Sequence, residues 1–377
     1  MNPYQKIEIP LQSVTFTAGS VSTIDFGALQ PQLAGRIVHV SEFKFVVAAT
    51  PTLSSGTATP EELQKAVRNL VVRDGTGRQL FNGSFASNRL QDGLERGFYN
   101  VPESDAAATT EAVYFQRSLG LAPRGFGEEV DFVQPAAVFR GGSMTFSFGA
   151  LTDVDAACTA LTLTIQPYAV CQLHDELILG TLVERFESVL NNGQVIGAEA
   201  LYADLAICNS STFDAITAGD FANVETIANG FSRQAIHVAD LERMYHEDKN
   251  VPSGLTLIHG EPRAATDDNA KVISGTALAA ASAIISPVIW APKGAKISKL
   301  VYHAQPNLTL KWSGSQAAGY MLATRLVPRS ASDFGKAESL IKTALSLNIK
   351  SVNARTQSKE DYNGPRRAYM PLKCKVG

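Results

Sequence analysis

Met144-Thr145-Phe146-Ser147-Phe148 and Leu161-Thr162-Leu163-Thr164-Ile165 share one pattern, an apolar side chain at every second position with a small hydroxyl residue between. Successive side chains of a β-strand leave on opposite faces, so this pattern sets one face against a core and the other towards a polar surface. Threonine as the repeated outward residue suits a pleated surface, because its β-branch is comfortable in extended backbone. Val14-Thr15-Phe16-Thr17, Phe43-Lys44-Phe45 and Leu308-Thr309-Leu310-Lys311-Trp312 repeat the alternation. The chain therefore reads as mainly β, built from half-buried strands.

Between Leu70 and Phe81 the sequence LVVRDGTGRQLF sets two apolar strands around Asp74-Gly75-Thr76-Gly77, where the glycines can supply the positive φ of a tight hairpin. The same glycines lack the third glycine of a dinucleotide fingerprint and the Gly-Lys-Ser/Thr ending of a phosphate loop. Helices are few. One is expected from Thr59 to Leu70, with Thr59 as N-cap, Pro60 at the first turn, Glu62 closing a capping box, and Leu63, Ala66, Val67 and Leu70 on one face. Another is expected over Ala337 to Leu347, with weaker ones over Asp220 to Asn229 and Val238 to Glu247. Strands and helices do not alternate regularly, which argues for sandwiches with decorated loops over a parallel sheet.

GGSMTFSFGAL (141–151) and ALTLTIQPYAVCQL (160–173) look like the closing strands of a first unit, and His174-Asp175-Glu176 like the connection to a second. The second half repeats the style in GLTLIHG, SPVIWAPKG, KISKLVYHA and GYMLATRLV, with no residue-level repeat. Two consecutive β-sandwiches are expected, residues 1–173 and 174–377, with no single sheet crossing the junction near Leu173 to Gly180. A length of 377 residues suits two domains.

Charged residues make up 18% of the chain, below the ~25% average of globular proteins, as when subunit interfaces replace solvated surface. The net charge of −3 excludes a surface that is basic throughout, but the charge is uneven. Lys350, Arg355, Lys359, Arg366, Arg367, Lys373 and Lys375 against Glu360 and Asp361 give the last 28 residues a net of +5, leaving −8 on the rest. Tyr362 and Tyr369 interleave with Arg366 and Arg367. Cys158, Cys171, Cys208 and Cys374 form no C-x-x-C pair, and buried free thiols are expected. The opening MNPYQKIEIPLQSV has no signal-peptide pattern, so synthesis in a reducing cytoplasm is expected, and the Asn82, Asn209 and Asn307 sequons carry no weight. Ser274 to Trp290 is too short and too weakly apolar to span a bilayer.

No local motif supports catalysis or a cofactor. The histidines His39, His174, His237, His246, His259 and His303 never form H-E-x-x-H, and His246-Glu247-Asp248 reads as a solvated helix end. Asp153 and Asp155 lack the glycine and closing glutamate of a calcium loop and read as a polar turn. Asp333-Phe334-Gly335 has no kinase partner motifs, and no G-x-S-x-G elbow is present.

Length, two sandwich-like halves, short helices in long insertions, low charge and strand phrases such as Gly141-Gly142-Ser143-Met144-Thr145-Phe146-Ser147-Phe148 resemble the double jelly-roll major capsid proteins of tailless icosahedral viruses, especially lipid-containing bacteriophages. The resemblance implies two eight-stranded jelly rolls side by side and a homotrimer that forms pseudo-hexagonal capsomers of an icosahedral shell. It also implies a virion location, no enzymatic activity, and contacts with itself and other virion proteins. The basic segment, through Lys350, Arg355, Arg366, Arg367, Tyr369, Lys373 and Lys375, would then meet an internal membrane, the genome or a neighbouring subunit. Because the sandwich strands are expected upstream, its removal is expected to leave the subunit folded. A phage tail, spike or adhesin subunit shares the same texture. So do a carbohydrate-binding sandwich, with Trp290 and Trp312 as stacking platforms, and a β-sandwich hydrolase with dispersed carboxylates.

Overall fold

The computed structural model describes residues 5–56, 58, 60–88, 112–123, 129–195, 201–208, 223–228, 231–237, 257–258, 261–262, 288–290, 308–315, 317–327, 339 and 372–375. The first half contributes β1 (Gln5–Pro10), β2 (Val14–Thr15), β3 (Val21–Asp25), β4 (Gln32–Leu33), β5 (Arg36–Leu53), β6 (Val67–Arg73), β7 (Gln79–Gly83), β8 (Val113–Gly120), β9 (Gln134–Pro135), β10 (Ser143–Phe148) and β11 (Cys158–His174). Both β1 and β2 pair with β11, β11 pairs with β5, and β5 pairs with β8. In the facing sheet β3 pairs with β10, β10 with β6, and β6 with β7. With β1 and β2 taken as one broken strand and the two-residue β4 and β9 set aside, the first strand lies beside the last, then the third and sixth. The second lies beside the seventh, then the fourth and fifth. This is the strand permutation of a jelly roll.

After β11 come β12 (Glu176–Leu179), β13 (Leu182–Asn191), β14 (Leu201–Cys208), β15 (Asn223–Ala228), β16 (Phe231–His237), β17 (Leu257–Ile258), β18 (Glu261–Pro262), β19 (Val288–Trp290), β20 (Leu308–Ser313), β21 (Ala318–Val327) and β22 (Leu372–Lys375). One sheet runs β13-β21-β14-β19 and another β16-β15-β20, and an isolated bridge joins Val195 to Thr309 beside β20. Between β13 and β21, setting aside the small β17–β18 hairpin, the permutation of the first half returns. The first strand again lies beside the last, third and sixth, and the second position, held by Val195, beside the seventh, fourth and fifth. The chain is mainly β, and the repeat lies in pairing, not in residues.

The expected separation of the halves is incomplete, because one sheet does cross the junction. A parallel pairing of Arg185 with Phe81 and Phe186 with Asn82 joins β13 to β7 and makes one eight-stranded sheet from strands of both halves. Only these two residue pairs link β13 to β7, whereas β13 pairs with β21 along its whole length.

The first core sits between two inner faces that the alternation marked. In β10, Met144, Phe146 and Phe148 are buried while Ser143, Thr145 and Ser147 are partly exposed. From the other sheet, Phe43, Phe45 and Val47 of β5 and Leu163 and Ile165 of β11 are buried. Phe45 meets Phe146 edge to face, with ring centroids 6.1 Å apart, and Phe85 lies 5.5 Å from Phe45 and 6.4 Å from Phe146. Each such aromatic pair adds about 0.5–1.5 kcal/mol beyond its buried area, so this cluster fixes how the sheets face one another.

The hairpin forms as read, but its glycines divide the work. Gly77 takes φ +82°, while Gly75 is needed for space, because a Cβ there would sit 2.1 Å from the Arg140 carbonyl oxygen. Asp74 Oδ1 accepts from the Thr76 amide at 2.8 Å, the Thr76 hydroxyl at 2.6 Å and the Arg78 amide at 3.0 Å.

Two helices are corrected. The one read over Thr59 to Leu70 shrinks to α1 (Pro60–Leu63) and a 3-10 turn at Gln64–Ala66, and Val67 already begins β6. Leu63, Ala66, Val67 and Leu70 are all fully buried, but the β-branched run Val67, Val71, Val72 takes its backbone partners from β10 and β7. The weak helix read over Asp220 to Asn229 is a strand at Asn223–Ala228, flanked by β16 and β20. The turn read at Asp153 and Asp155 contains a second short helix, α2 (Leu151–Val154), whose Asp153 Oδ2 accepts from the Ala150 amide at 2.8 Å. Of the helix read over Ala337 to Leu347 only Ser339 is described, and that over Val238 to Glu247 lies outside the described residues.

Candidate assembly site

The basic C-terminal residues were the expected contact site. Lys350, Arg355, Arg366, Arg367 and Tyr369 lie outside the described residues. Lys373 and Lys375 do not belong to a free extension. They lie in β22, which pairs antiparallel with β12 and sets Lys375 opposite Glu176 and Lys373 opposite Ile178. The tail was expected to lie beyond the sandwich strands, and it carries a strand of its own: a strand needs a partner for its amides and carbonyls, and the chain end supplies one to the connector.

That connector is built tightly into the first half. His174 ends β11, Asp175 makes a bend held by Arg36 (Nε to Oδ1 2.8 Å), and Glu176 starts β12. The Arg36 hydrogen bond and charge hold the Asp175 carboxyl below the usual carboxylate range. Leu177 and Ile178 are buried, and Ile178 donates its amide to His39 Nε2 at 2.9 Å. Gly180 donates to the Val133 carbonyl at 3.0 Å and Thr181 to the Asp131 carbonyl at 2.9 Å. Gln134 Nε2 reaches back to the carbonyls of Gly180 at 3.0 Å and Thr181 at 3.2 Å. No side chain fits at position 180, where a Cβ would meet the Val133 oxygen at 2.5 Å and Phe132 C at 2.6 Å.

Further along, β13 presents three charged residues to the seam between the halves. Glu184 pairs with Arg325 of β21 and lies 3.6 Å from Arg78 Nε, which follows the first hairpin turn. Arg185, buried, donates from Nη1 to the Gly120 carbonyl and from Nη2 to that of Ala122 at 3.4 Å, beyond the end of β8. Glu187 accepts from the Ser84 amide at 3.2 Å and hydroxyl at 3.3 Å; burial raises its carboxyl above the usual range, against the lowering effect of hydrogen bonds from Ser87 and Ser84. Buried, hydrogen-bonded charges of this kind fix register and orientation more than they add stability.

None of this polar seam was singled out in the sequence. Its signal was a charged residue in the buried phase of a strand, as at Arg185 between Val183 and Phe186, or a lone polar residue inside an apolar run, as at His39 in Ile37-Val38-His39-Val40. The seam positions elements, holding β13 against the first half through Glu184, Arg185 and Glu187. Among the described residues, no group of three or more His, Cys, Asp or Glu is arranged to hold a metal, and no helix is long and apolar enough to cross a membrane. Cys158 and Cys171 are buried free thiols, and burial pushes the Cys171 thiol up to about 12. Trp312 is also buried, and its amide donates to Asn192 Oδ1 at 2.9 Å, so it offers no open face on which a sugar ring could stack.

Two jelly rolls in one chain, with one strand permutation, define a double jelly-roll fold. Solved structures share it: the STIV MCP is similar at TM-score 0.54 and 13% identity, over 86% of this chain and 97% of the other. A chain in the atomic structure of Sulfolobus Turreted Icosahedral Virus is similar at TM-score 0.52 and 10% identity, over 91% and 97%. The major capsid protein P2 from Bacteriophage PM2 lies further off, at TM-score 0.46 and 12% identity over 87% and 99%. No family model matches the chain, and no curated protein matches it by sequence.

Proposed function

We propose that the chain is a major capsid subunit: a non-enzymatic structural protein of an icosahedral virion that assembles with itself into trimeric, pseudo-hexagonal capsomers. The observation that carries this reading is the same jelly-roll permutation occurring twice in one chain. Two similar sandwiches under threefold symmetry give six comparable edges, which suit the tiling of a closed shell. The fold shared with the STIV MCP supports it, as does the low charge of the chain. Jelly rolls also serve as lectin domains, but the buried Trp312 counts against the carbohydrate-binding alternative.

The units are the first roll, residues 1–173, and a second unit, residues 174–377, which begins with the connector and ends with the basic segment. Lys350, Arg355, Arg366, Arg367 and Tyr369 contact a neighbouring subunit, the genome or an internal membrane. Lys373 and Lys375 do so from the edge of the β12–β22 ribbon. Native mass spectrometry of the full chain tests the assembly. A trimer or a larger multiple of three is expected, and a species that stays monomeric across micromolar concentrations overturns the proposal.

A further inference from the structure

His39 is fully buried in β5 with both ring nitrogens engaged. Nδ1 lies 3.2 Å from the Ile37 carbonyl, and Nε2 accepts the Ile178 amide at 2.9 Å. A nitrogen that accepts an N–H carries no proton, so this arrangement exists only for neutral imidazole with its proton on Nδ1. The second imidazole of the cluster is His174 of β11, edge to face at 5.0 Å, with its Nε2 3.0 Å from Gln172 Oε1. Around them, the paired β9 segment brings only Gln134 and Pro135 opposite Val40 and His39, and β4 brings Gln32 and Leu33. The connector brings Glu176 at the start of β12, β22 brings Lys373 and Lys375 by register, and Arg36 and Asp175 neutralise one another at the bend. The described charged neighbours thus include His174, whose charge works against a charged His39. Among the carboxylates, Asp175 is committed to Arg36 and Glu176 lies opposite Lys375.

We infer that His39 is an acid-released latch: a proton taken up at Nε2 removes the acceptor of the Ile178 amide and frees β12, with β22 paired to it, from the first jelly roll. The proton comes from water and no covalent bond changes. The Ile178 N–H loses its partner, and charge on the neighbouring His174 opposes the charged form of His39. Burial, with His174 as the smaller cause, holds the His39 imidazole down to about 3 while the latch is closed. The sign follows directly. A histidine with its ordinary pKa near 6.5 in the open state takes the proton first, so the closed state is favoured above that pH and loses ground as pH falls below it. Between pH 7 and pH 5 the open fraction rises about 25-fold by that linkage. This goes beyond the capsid reading and rests on contacts within one chain.

The test is hydrogen exchange of the full chain between pH 7 and pH 5, corrected for intrinsic rates and compared with His39→Gln, whose amide oxygen can accept the Ile178 N–H without titrating. In the native chain, protection of residues 176–181 and 372–375 is expected to fall about 25-fold, while residues 43–49 and 163–169 keep theirs. In His39→Gln the loss at 176–181 is expected to disappear. Unchanged protection in the native chain, an equal loss in the variant, or simultaneous loss in both sets of residues overturns the latch. Should the variant not fold, imidazole NMR of the native chain decides the matter: His39 must gain its proton as residues 176–181 lose protection, and opening with His39 still neutral contradicts the proposal.

Discussion

Replacing Phe146 by alanine tests the placement of the first core. Phe146 is fully buried at the middle of β10, and its ring meets Phe45 from the opposite sheet, Phe85 from the segment after β7, and Phe148 on its own strand. Removing a buried phenylalanine ring costs about 3–5 kcal/mol, the lost transfer energy plus the cavity left behind. The upper part of that range applies here, because both sheets are tied by long ladders, β5 to β11 and β10 to β6, and cannot close over the gap. Set against about 5–15 kcal/mol for a whole domain, the variant forfeits roughly a quarter or more of the first roll's stability. Phe146→Leu, which keeps most of the volume, should cost under about 1.5 kcal/mol. Val21→Ala, at a position 64% exposed on β3, should stay within about 0.5 kcal/mol. Urea titration read by peptide-level hydrogen exchange separates the halves, which a single two-state fit does not. Residues 163–169 should lose protection at lower urea in Phe146→Ala, while residues 318–327 shift less. A cost below about 1 kcal/mol, or one equal to that of Val21→Ala, refutes the sandwich interior described above.

Gly180→Ala sets a Cβ against the Val133 oxygen and Phe132, which are backbone and cannot swing aside. A loss of about 1–3 kcal/mol is expected, with increased exchange at residues 131–134, and a neutral result in a thermal melt contradicts the tight threading of the connector. For the basic segment, Arg366→Gln with Arg367→Gln should leave the melting temperature unchanged and lower the salt dependence of particle assembly or of polyanion binding. An unchanged salt slope removes these residues from the contact. Deleting residues 363–377 is a harsher change, because it strips β12 of its partner β22, so faster exchange at residues 176–179 is expected along with any defect in assembly.

The strands were legible because a period of two is local, and the apolar members of the alternating phrases from Val14 to Trp312 whose side chains are described are buried, save Leu161, which is partly buried. The helix read over Thr59 to Leu70 chose the right buried residues and the wrong backbone. Leu63, Ala66, Val67 and Leu70 satisfy a helical spacing, but the hydrogen-bond partners that make Val67–Arg73 a strand come from β10, far away in sequence, as well as from β7 across the hairpin. The same non-local cause hid the β12–β22 ribbon, whose partners stand almost 200 residues apart, and the β13–β7 bridge across the junction. His39 was named in the sequence only among histidines without a metal motif, and its structural role was hidden for another reason. In Ile37-Val38-His39-Val40-Ser41 every residue is buried, because β5 is covered on both faces there, so alternation stops and the one local sign is a polar residue inside an apolar run.

Electron microscopy of the purified full-length chain, with two-dimensional class averages, tests the capsid account most directly. Three copies of a double jelly roll should give six-lobed, pseudo-hexagonal particles of one size, alone or tiled into shells. Two-lobed single subunits at every concentration examined, or unbranched fibres, contradict it.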